Sequence, residues 1–265
     1  MSAKINVDML QRGLKTRCLG RHVFFSGKVD STNNWAKELA SFGAGEGLVT
    51  VAETQSAGRG RLDREWISPA GGLWFSAILK PNLKPHEAVK LVFVAGLAVA
   101  EVFSEFYGLR VETKWPNDIL VNRRKVCGLL AEMNTVGDTV NYVVIGIGVN
   151  ANFDVKKALP EELWKNATSL QSELGRKVQL ETLFRALLEK LEKVYELFMK
   201  EGFRPVLEEW KKYAFFLGRQ VEVTIQRENV SGLALDVDQN GALVLKLENG
   251  RTKQVFVGDI RERTR

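Results

Sequence analysis

The sequence predicts an α+β fold in two parts: a mixed, largely antiparallel sheet with flanking helices over residues 1–213, and a small SH3-like β-barrel over residues 214–265. Three observations predict it. Between about residue 20 and residue 213, apolar runs of strand length are mixed with segments of helical period. The short connections at Asn122-Arg123 and Val136-Gly137-Asp138 read as hairpins, which join antiparallel strands. After residue 213 the period changes to two, and Asn240-Gly241 and Asn249-Gly250 are hairpin-turn signals.

Taken in order, residues 1–20 form a short N-terminal extension in which Asn6 to Leu14 can make one short helix. Val23 to Phe25 reads as a strand, and Ser31 or Thr32 can cap a helix running through Trp35 and Leu39. Leu48 to Ala52 is a strand leading into a glycine-arginine loop. Gly71-Gly72 precedes a strand from Leu73 to Leu79, which Pro81 stops. Glu87 to Phe106 predicts one helix. Its apolar part, Leu91 to Ala100, is too short to span a bilayer, which takes about 20 residues. Strands are predicted at Val111 to Trp115, Ile119 to Val121, Leu129 to Met133 and Tyr142 to Val149. Leu180, Leu183, Phe184, Leu187, Leu188, Leu191, Val194, Tyr195 and Phe198 recur at helical spacing, a stripe read as core. Glu181/Arg185 and Glu189/Lys193 are favourable i,i+4 pairs on the opposite face. Val221 to Ile225, Leu233 to Val237 and Leu243 to Leu247 supply the barrel strands.

With 45% hydrophobic and 26% charged residues, the 265-residue chain has the composition of a globular protein with one sizeable core and a small second domain. It has no membrane-length apolar run and no charged-then-apolar start. Two cysteines (Cys18, Cys127) and two histidines (His22, His86) leave little to build a zinc site, and the expected compartment is a reducing cytoplasm. The net charge of +6 has three readings: nucleic-acid binding, a basic surface without a role, or cations gathered around an anionic substrate.

Five segments carry candidate chemistry. Asp30-Ser31-Thr32-Asn33 offers hydroxyls and an amide at a helix start, or a cap and nothing more. Gln55 to Trp66 contains Gly58-Arg59-Gly60-Arg61 and Arg64. Glycine permits close backbone approach and arginine presents a donor fork to phosphate or carboxylate, which suggests a mobile loop folding over an anion. Lys114-Trp115-Pro116-Asn117-Asp118 keeps Trp115 out of helical conformation and sets Asn117 and Asp118 at a strand end, as a turn or as ligands for hydroxyls, an amine or a metal-bound phosphate. In Lys125-Val126-Cys127-Gly128-Leu129-Leu130-Ala131-Glu132 a lysine directly precedes an apolar strand, so its ammonium can be aimed across a sheet face. Gly146-Ile147-Gly148-Val149-Asn150 places glycines in a strand, where another backbone or a ligand must come close. It lacks the third glycine and following helix of a dinucleotide fingerprint, and there is no Walker A sequence.

Jointly, in this order and spacing, Asp30 to Asn33, Thr54-Gln55 with Gly58 to Arg61 and Trp66, Lys114 to Asp118, and Lys125 with Gly128 resemble the biotin–protein ligases. Gly146 to Asn150 and Ala167-Thr168-Ser169-Leu170 also look like segments of that family, and the resemblance covers residues 12–265. It implies a class II synthetase-like catalytic sheet and a two-step reaction, in which biotin and ATP-Mg²⁺ give biotinoyl-5′-AMP and a lysine of a biotin carboxyl carrier protein then takes the biotinoyl group. By resemblance Ser31, Thr32, Asn33, Gln55, Gly58, Arg59, Gly60, Arg61, Lys125 and Gly128 bind biotin. Arg59, Arg61, Arg64, Trp66, Asn117, Asp118, Lys125 and Asn150 fall at the nucleotide site, with Lys125, Arg59, Arg61 and Asp118 as the catalytic set. No metal site made of protein ligands alone is implied.

The chain departs from the family pattern at Leu62-Asp63, where relatives commonly have arginine and glycine, and at Cys127, where a small residue such as alanine is common. Asp63 brings a carboxylate to the phosphate loop, and Cys127 is either a buried small hydrophobe or an oxidation-sensitive thiol. A winged helix-turn-helix, present in some relatives, needs roughly 60 residues. Only about 20 precede the first catalytic strand, so no DNA partner is expected. A homodimer through the central sheet is an expectation by resemblance. Rival readings are a lipoate–protein ligase or octanoyltransferase, and a basic nucleic-acid-binding module using the barrel, which lacks a stacking aromatic cluster.

Overall fold

The computed structural model describes residues 5–225 and 228–262, so the first four residues of the N-terminal extension lie outside the described residues. In chain order the elements are α1 (Val7–Gln11), β1 (Val23–Val29), α2 (Thr32–Ser41), β2 (Val49–Gln55), β3 (Leu73–Leu79), α3 (Pro85–Ala88), α4 (Leu91–Glu101), β4 (Val111–Lys114), β5 (Asp118–Val121), β6 (Arg124–Val136), β7 (Thr139–Val149), α5 (Val155–Ala158), α6 (Glu161–Trp164), α7 (Leu170–Leu174), α8 (Leu180–Glu201) and α9 (Phe203–Lys211). The five strands β8 (Gln220–Ile225), β9 (Glu228–Val237), β10 (Leu243–Lys246), β11 (Thr252–Val255) and β12 (Asp259–Glu262) follow.

The large sheet has the order β1-β2-β3-β7-β6-β5-β4. Its β1–β2 pair is parallel and the other pairs are antiparallel. Strand alternation gives the sheet two different faces. Phe75, Ala77, Leu79, Val143, Ile145 and Ile147 turn into the main core with α4, α8 and α9. Ile78, Tyr142 and Val144 turn the other way, onto Ala36 and Ala40 of α2. The same face carries Trp74, Ser76, Gly146 and Gly148, with Ser76 and Gly146 meeting the first residues of α2, Thr32 and Asn33.

The predicted helix from Glu87 to Phe106 is instead broken into α3, α4 and a π-helical turn, Val102–Phe106. The break falls at Val89 and Lys90, whose ψ values of −23° and −14° wind the backbone tighter than an α-helix. Strand β6 is much longer than its predicted stretch: its far end, Asn134 to Val136, is exposed, and at its start the buried Val126 and Cys127 are set between Lys125 and Gly128, which interrupt the apolar run. Both hairpins form where expected, and Asn122-Arg123 takes positive φ at both turn residues (50° and 63°).

The small domain is an antiparallel sheet of order β11-β10-β9-β8-β12. Val221, Val223, Leu243 and Leu245 fill its interior and join the main core through Trp210 and Phe216. Its Asn240-Gly241 turn is pinned to the large domain by the Trp115 indole, which donates to the Gly241 carbonyl at 3.0 Å. The N-terminal extension is strapped to α8. Glu192 accepts from the backbone N–H groups of Arg17, Cys18 and Leu19 at 2.6–2.8 Å.

Candidate active site

A cavity of about 360 Å³ opens on the α2 face of the large sheet, within the range of small-molecule sites. Its floor is flat because of glycine. Register places Gly148 opposite both Trp74 and Gly128, and Gly146 opposite both Ser76 and Leu130. A Cβ on Gly146 would lie 2.1 Å from Asn33 Oδ1, and one on Gly148 would lie 2.4 Å from Trp66 Nε1. The close approach inferred from the sequence is therefore made by protein side chains that themselves line the cavity.

At one end the N-terminus of α2 presents Ser31, Thr32 and Asn33, all buried. Ser31 is the N-cap residue, but its side chain makes no capping bond. Gln55 takes that role: its Oε1 accepts from Thr32 N–H at 2.7 Å and from Thr32 Oγ1 at 3.1 Å. The Ser31 hydroxyl is left facing the cavity. Ser76 Oγ lies 2.8 Å from Thr32 Oγ1 and 2.6 Å from Asn33 Oδ1, and Gln55 Nε2 donates to Ser68 Oγ at 2.7 Å. These bonds hold the amide and hydroxyls in fixed orientations.

At the other end stand cations. The β5–β6 register shifts between Leu120, opposite Lys125, and Ile119, opposite Cys127, leaving Val126 as an extra residue. Bulges re-aim side chains. This one brings Lys125 to the cavity side with Gly128 while Cys127 stays in the core. Lys125 Nζ sits 2.7 Å from Asp118 Oδ1 and 4.8 Å from the centre of the Trp66 ring. Arg61 donates to Asn117 Oδ1 at 2.9 Å and to the Gly258 carbonyl at 3.2 Å. Burial lowers its pKa, partly opposed by Asp259 and Asp118, and a guanidinium is basic enough to stay charged. Burial likewise lowers the pKa of Lys114, with Asp118 opposing. Asn150 donates to the Thr168 carbonyl at 3.0 Å and lines the wall, which α6 and residues 159–167 complete.

The roof is the glycine-arginine segment, folded as a hairpin. Gly60 N–H donates to the Arg64 carbonyl at 2.7 Å and Trp66 N–H to the Gly58 carbonyl at 2.8 Å. Gly58 is required by that packing, since a Cβ there would lie 2.3 Å from the Trp66 carbonyl oxygen. At the tip Leu62 and Asp63 have φ of 55° and 56°, as a type I′ turn demands. Glycine suits such a position best and aspartate tolerates it. The Asp63 side chain is exposed and does not line the cavity, so its carboxylate stays clear of the anion site. Arg64 forms an ion pair with Asp259 of β12.

Every predicted site residue except Gly58 lines this one cavity; Gly58 shapes its roof. Burial pushes the Cys127 thiol far up, in keeping with a small hydrophobe rather than a reactive thiol. Sequence reasoning missed Ser68, Ser76, Glu132, Asp259 and Arg261. Ser76 had a signal, a hydroxyl inside the apolar run Leu73–Leu79. Asp259 and Arg261 had none, because they reach the cavity from the C-terminal domain.

A buried hydroxyl-and-amide end facing a cation end, under a roof that carries three arginines, defines an enzyme of the ligase and acyl-transfer class. Comparison with known proteins narrows the class. Residues 26–150 match the biotin/lipoate A/B protein ligase family, and residues 216–261 match the biotin protein ligase C-terminal domain. The chain is 36% identical over 258 residues to the bifunctional ligase/repressor BirA of Bacillus subtilis, covering 97% of this chain and 79% of that protein. It is 33% identical over 237 residues to the biotin–[acetyl-CoA-carboxylase] ligase of Paracoccus denitrificans, covering 87% and 98%. Among solved structures, the Aquifex aeolicus biotin protein ligase in complex with biotin and ATP superposes with a TM-score of 0.77 at 27% identity, covering 92% of this chain and 99% of that one. The chain belongs to the biotin protein ligase family.

Proposed function

We propose that the chain is an ATP-dependent biotin–protein ligase in which the carboxylate of biotin meets the α-phosphate of ATP between the two ends of this cavity. The observation that carries the reading is the placement of Lys125 and Arg61 above a glycine floor, beside the oriented Ser31–Gln55 end. A biotin carboxylate oxygen attacks the α-phosphorus, the α–β phosphoanhydride bond breaks, and pyrophosphate leaves. Two negative charges about 4 Å apart repel by roughly 4 kcal/mol at a surface-like effective dielectric, and fixed cations remove that barrier. Ser31, Thr32, Asn33 and Gln55 hold the neutral biotin head, with Gly128 at the floor. Trp66, Asn117, Asp118 and Asn150 take the nucleotide, and Arg59, Gly60, Arg61 and Arg64 close over both.

In the second step the amine of a carrier lysine attacks the acyl carbon and AMP leaves. Asp118 accepts or orients the amine proton. Its ion pair with Lys125 supports this division, because a Lys125 that turns to the acyl-phosphate leaves the Asp118 carboxylate without its partner. Mg²⁺ enters with the triphosphate. Among the described residues no cluster of three or more His, Cys, Asp or Glu side chains is placed to hold a metal.

The acceptor is a biotin carboxyl carrier domain of a carboxylase, a reading supported by the relatives' names. Residues 1–213 act as the catalytic unit, and 214–265 as a second domain that lends Asp259 and Arg261 to the cavity wall. The protein works in the cytoplasm as a homodimer joined through its sheet, which sedimentation equilibrium tests. No helix among the described residues is long and apolar enough to cross a membrane. The lipoate reading is disfavoured, since the C-terminal match is to the biotin ligase domain. Incubation with ATP, Mg²⁺ and labelled biotin or lipoate decides between them. Biotinoyl-AMP is expected, and an adenylate formed with lipoate but not biotin overturns the assignment.

A further inference from the structure

Glu132 extends from the cavity side of β6, two residues beyond Leu130, and its carboxylate has three partners. Oε2 accepts from Asn33 Nδ2 at 2.9 Å. Oε1 accepts from Lys37 Nζ at 2.8 Å and from Arg59 Nη1 at 2.9 Å. Asn33 and Lys37 stand one turn apart on α2, the helix whose N-terminus forms the buried end of the cavity. Arg59 stands at the base of the roof hairpin, bridged to Glu65, and the same Nη1 also donates to Asn34 Oδ1 at 3.2 Å. Glu132 therefore ties the sheet, the helix and the roof together at one carboxylate.

The roof arginines differ in what answers their charge. Arg61 donates to two neutral acceptors, a side-chain amide and a backbone carbonyl, and feels Asp259 and Asp118 only through space, so its donors are not committed to a carboxylate. Arg59 is matched by Glu132, and both side chains are partly shielded, at 38% and 20% exposure. A charge-assisted bond of this kind holds a loop more firmly than a bond between neutral groups.

We propose that Glu132 is a positioning residue that latches the roof hairpin closed, acting through Arg59, and so sets how long the acyl-adenylate is kept from solvent. The inference rests on the ligase reading and adds a residue that takes no part in binding either substrate. Its position gives the latch a release: an acceptor that displaces Arg59 from Glu132 opens the roof without disturbing the floor.

The test is a double-mutant cycle on the release of preformed, labelled biotinoyl-AMP, measured with the full chain. Glu132→Gln and Arg59→Gln are each expected to speed release by about fivefold to tenfold, the range for a partly buried charged bond. The double variant is expected to release no faster than either single one. Lys37→Met, which removes another partner of the same oxygen but does not touch the roof, is expected to keep the wild-type release rate. A wild-type rate in Glu132→Gln, or effects that multiply in the double variant, overturns the latch. A Glu132 that merely orients Asn33 would raise the KM for biotin and leave release alone, which also overturns it. If Glu132→Gln does not fold, Glu132→Asp, whose carboxylate is withdrawn by one methylene, must show accelerated release for the proposal to stand. Wild-type protein that forms no biotinoyl-AMP would instead sink the underlying ligase reading.

Discussion

The floor and the roof of the cavity are built by opposite means. The floor is strand on strand, backed at one end by α2: Trp74, Ser76 and the helix residue Asn33 are buried, and Gly146 and Gly148 are held in a seven-stranded ladder. The roof is a hairpin with Leu62 55% exposed at its tip, two side chains in left-handed conformation, and polar ties to Glu132, Asn117, Gly258 and Asp259. Groups that must recognise a substrate gain from rigid support. A cover that must hold a reactive intermediate and then admit a second substrate gains from ties worth about 1 kcal/mol each, which thermal motion can break.

Substitutions in the floor should therefore cost chemistry, and those in the roof should cost retention or stability. The largest effect is expected at Lys125. Lys125→Ala removes a fixed cation from the meeting point of two anions and should lower kcat/KM for biotinoyl-AMP formation by about 100-fold or more, read by pyrophosphate release. Asp118→Ala separates the two steps. Transfer from preformed biotinoyl-AMP should fall by about 100-fold, with a smaller loss in adenylation; equal losses would remove its role toward the acceptor. Gly146→Ala pushes a methyl group against Asn33 and breaks its bond to Ser76, so biotin affinity by calorimetry should fall by about tenfold, the value of one or two buried hydrogen bonds. The smallest effect belongs to the roof tip. Asp63→Gly relieves a left-handed aspartate and should raise Tm by a degree or two, with kcat unchanged. A large activity change there would put Asp63 inside the site after all.

The same contrast governs what could be read in the sequence. The floor announced itself, because glycines inside a buried strand and a lysine before an apolar run are anomalies against a regular pattern. The roof was legible as composition but not as geometry. Two glycines suggested closeness to a ligand, whereas Gly58 serves the hairpin's own backbone and the ligand-facing work falls to side chains. The Lys125 orientation was foreseen, yet its cause, a bulge at Val126, comes from strand pairing and has no local signal. Helices α5, α6 and α7 span four or five residues, too few for a period to emerge, whereas α9 has a buried stripe in Phe203, Val206, Leu207 and Trp210 that the sequence reading passed over. Glu132 stood in view at the end of a motif; its role emerged only when β6 was set beside α2 and the roof.

Hydrogen exchange, followed by mass spectrometry on the protein alone and with biotinoyl-AMP bound, tests this division most directly. The ladder amides of β3, β6 and β7 should be strongly protected in both states, and the amides of residues 58–66 should gain most of the protection that the ligand confers. Equal gains in floor and roof, or a roof already as protected as the floor in the free protein, would contradict a preformed floor under a latched cover.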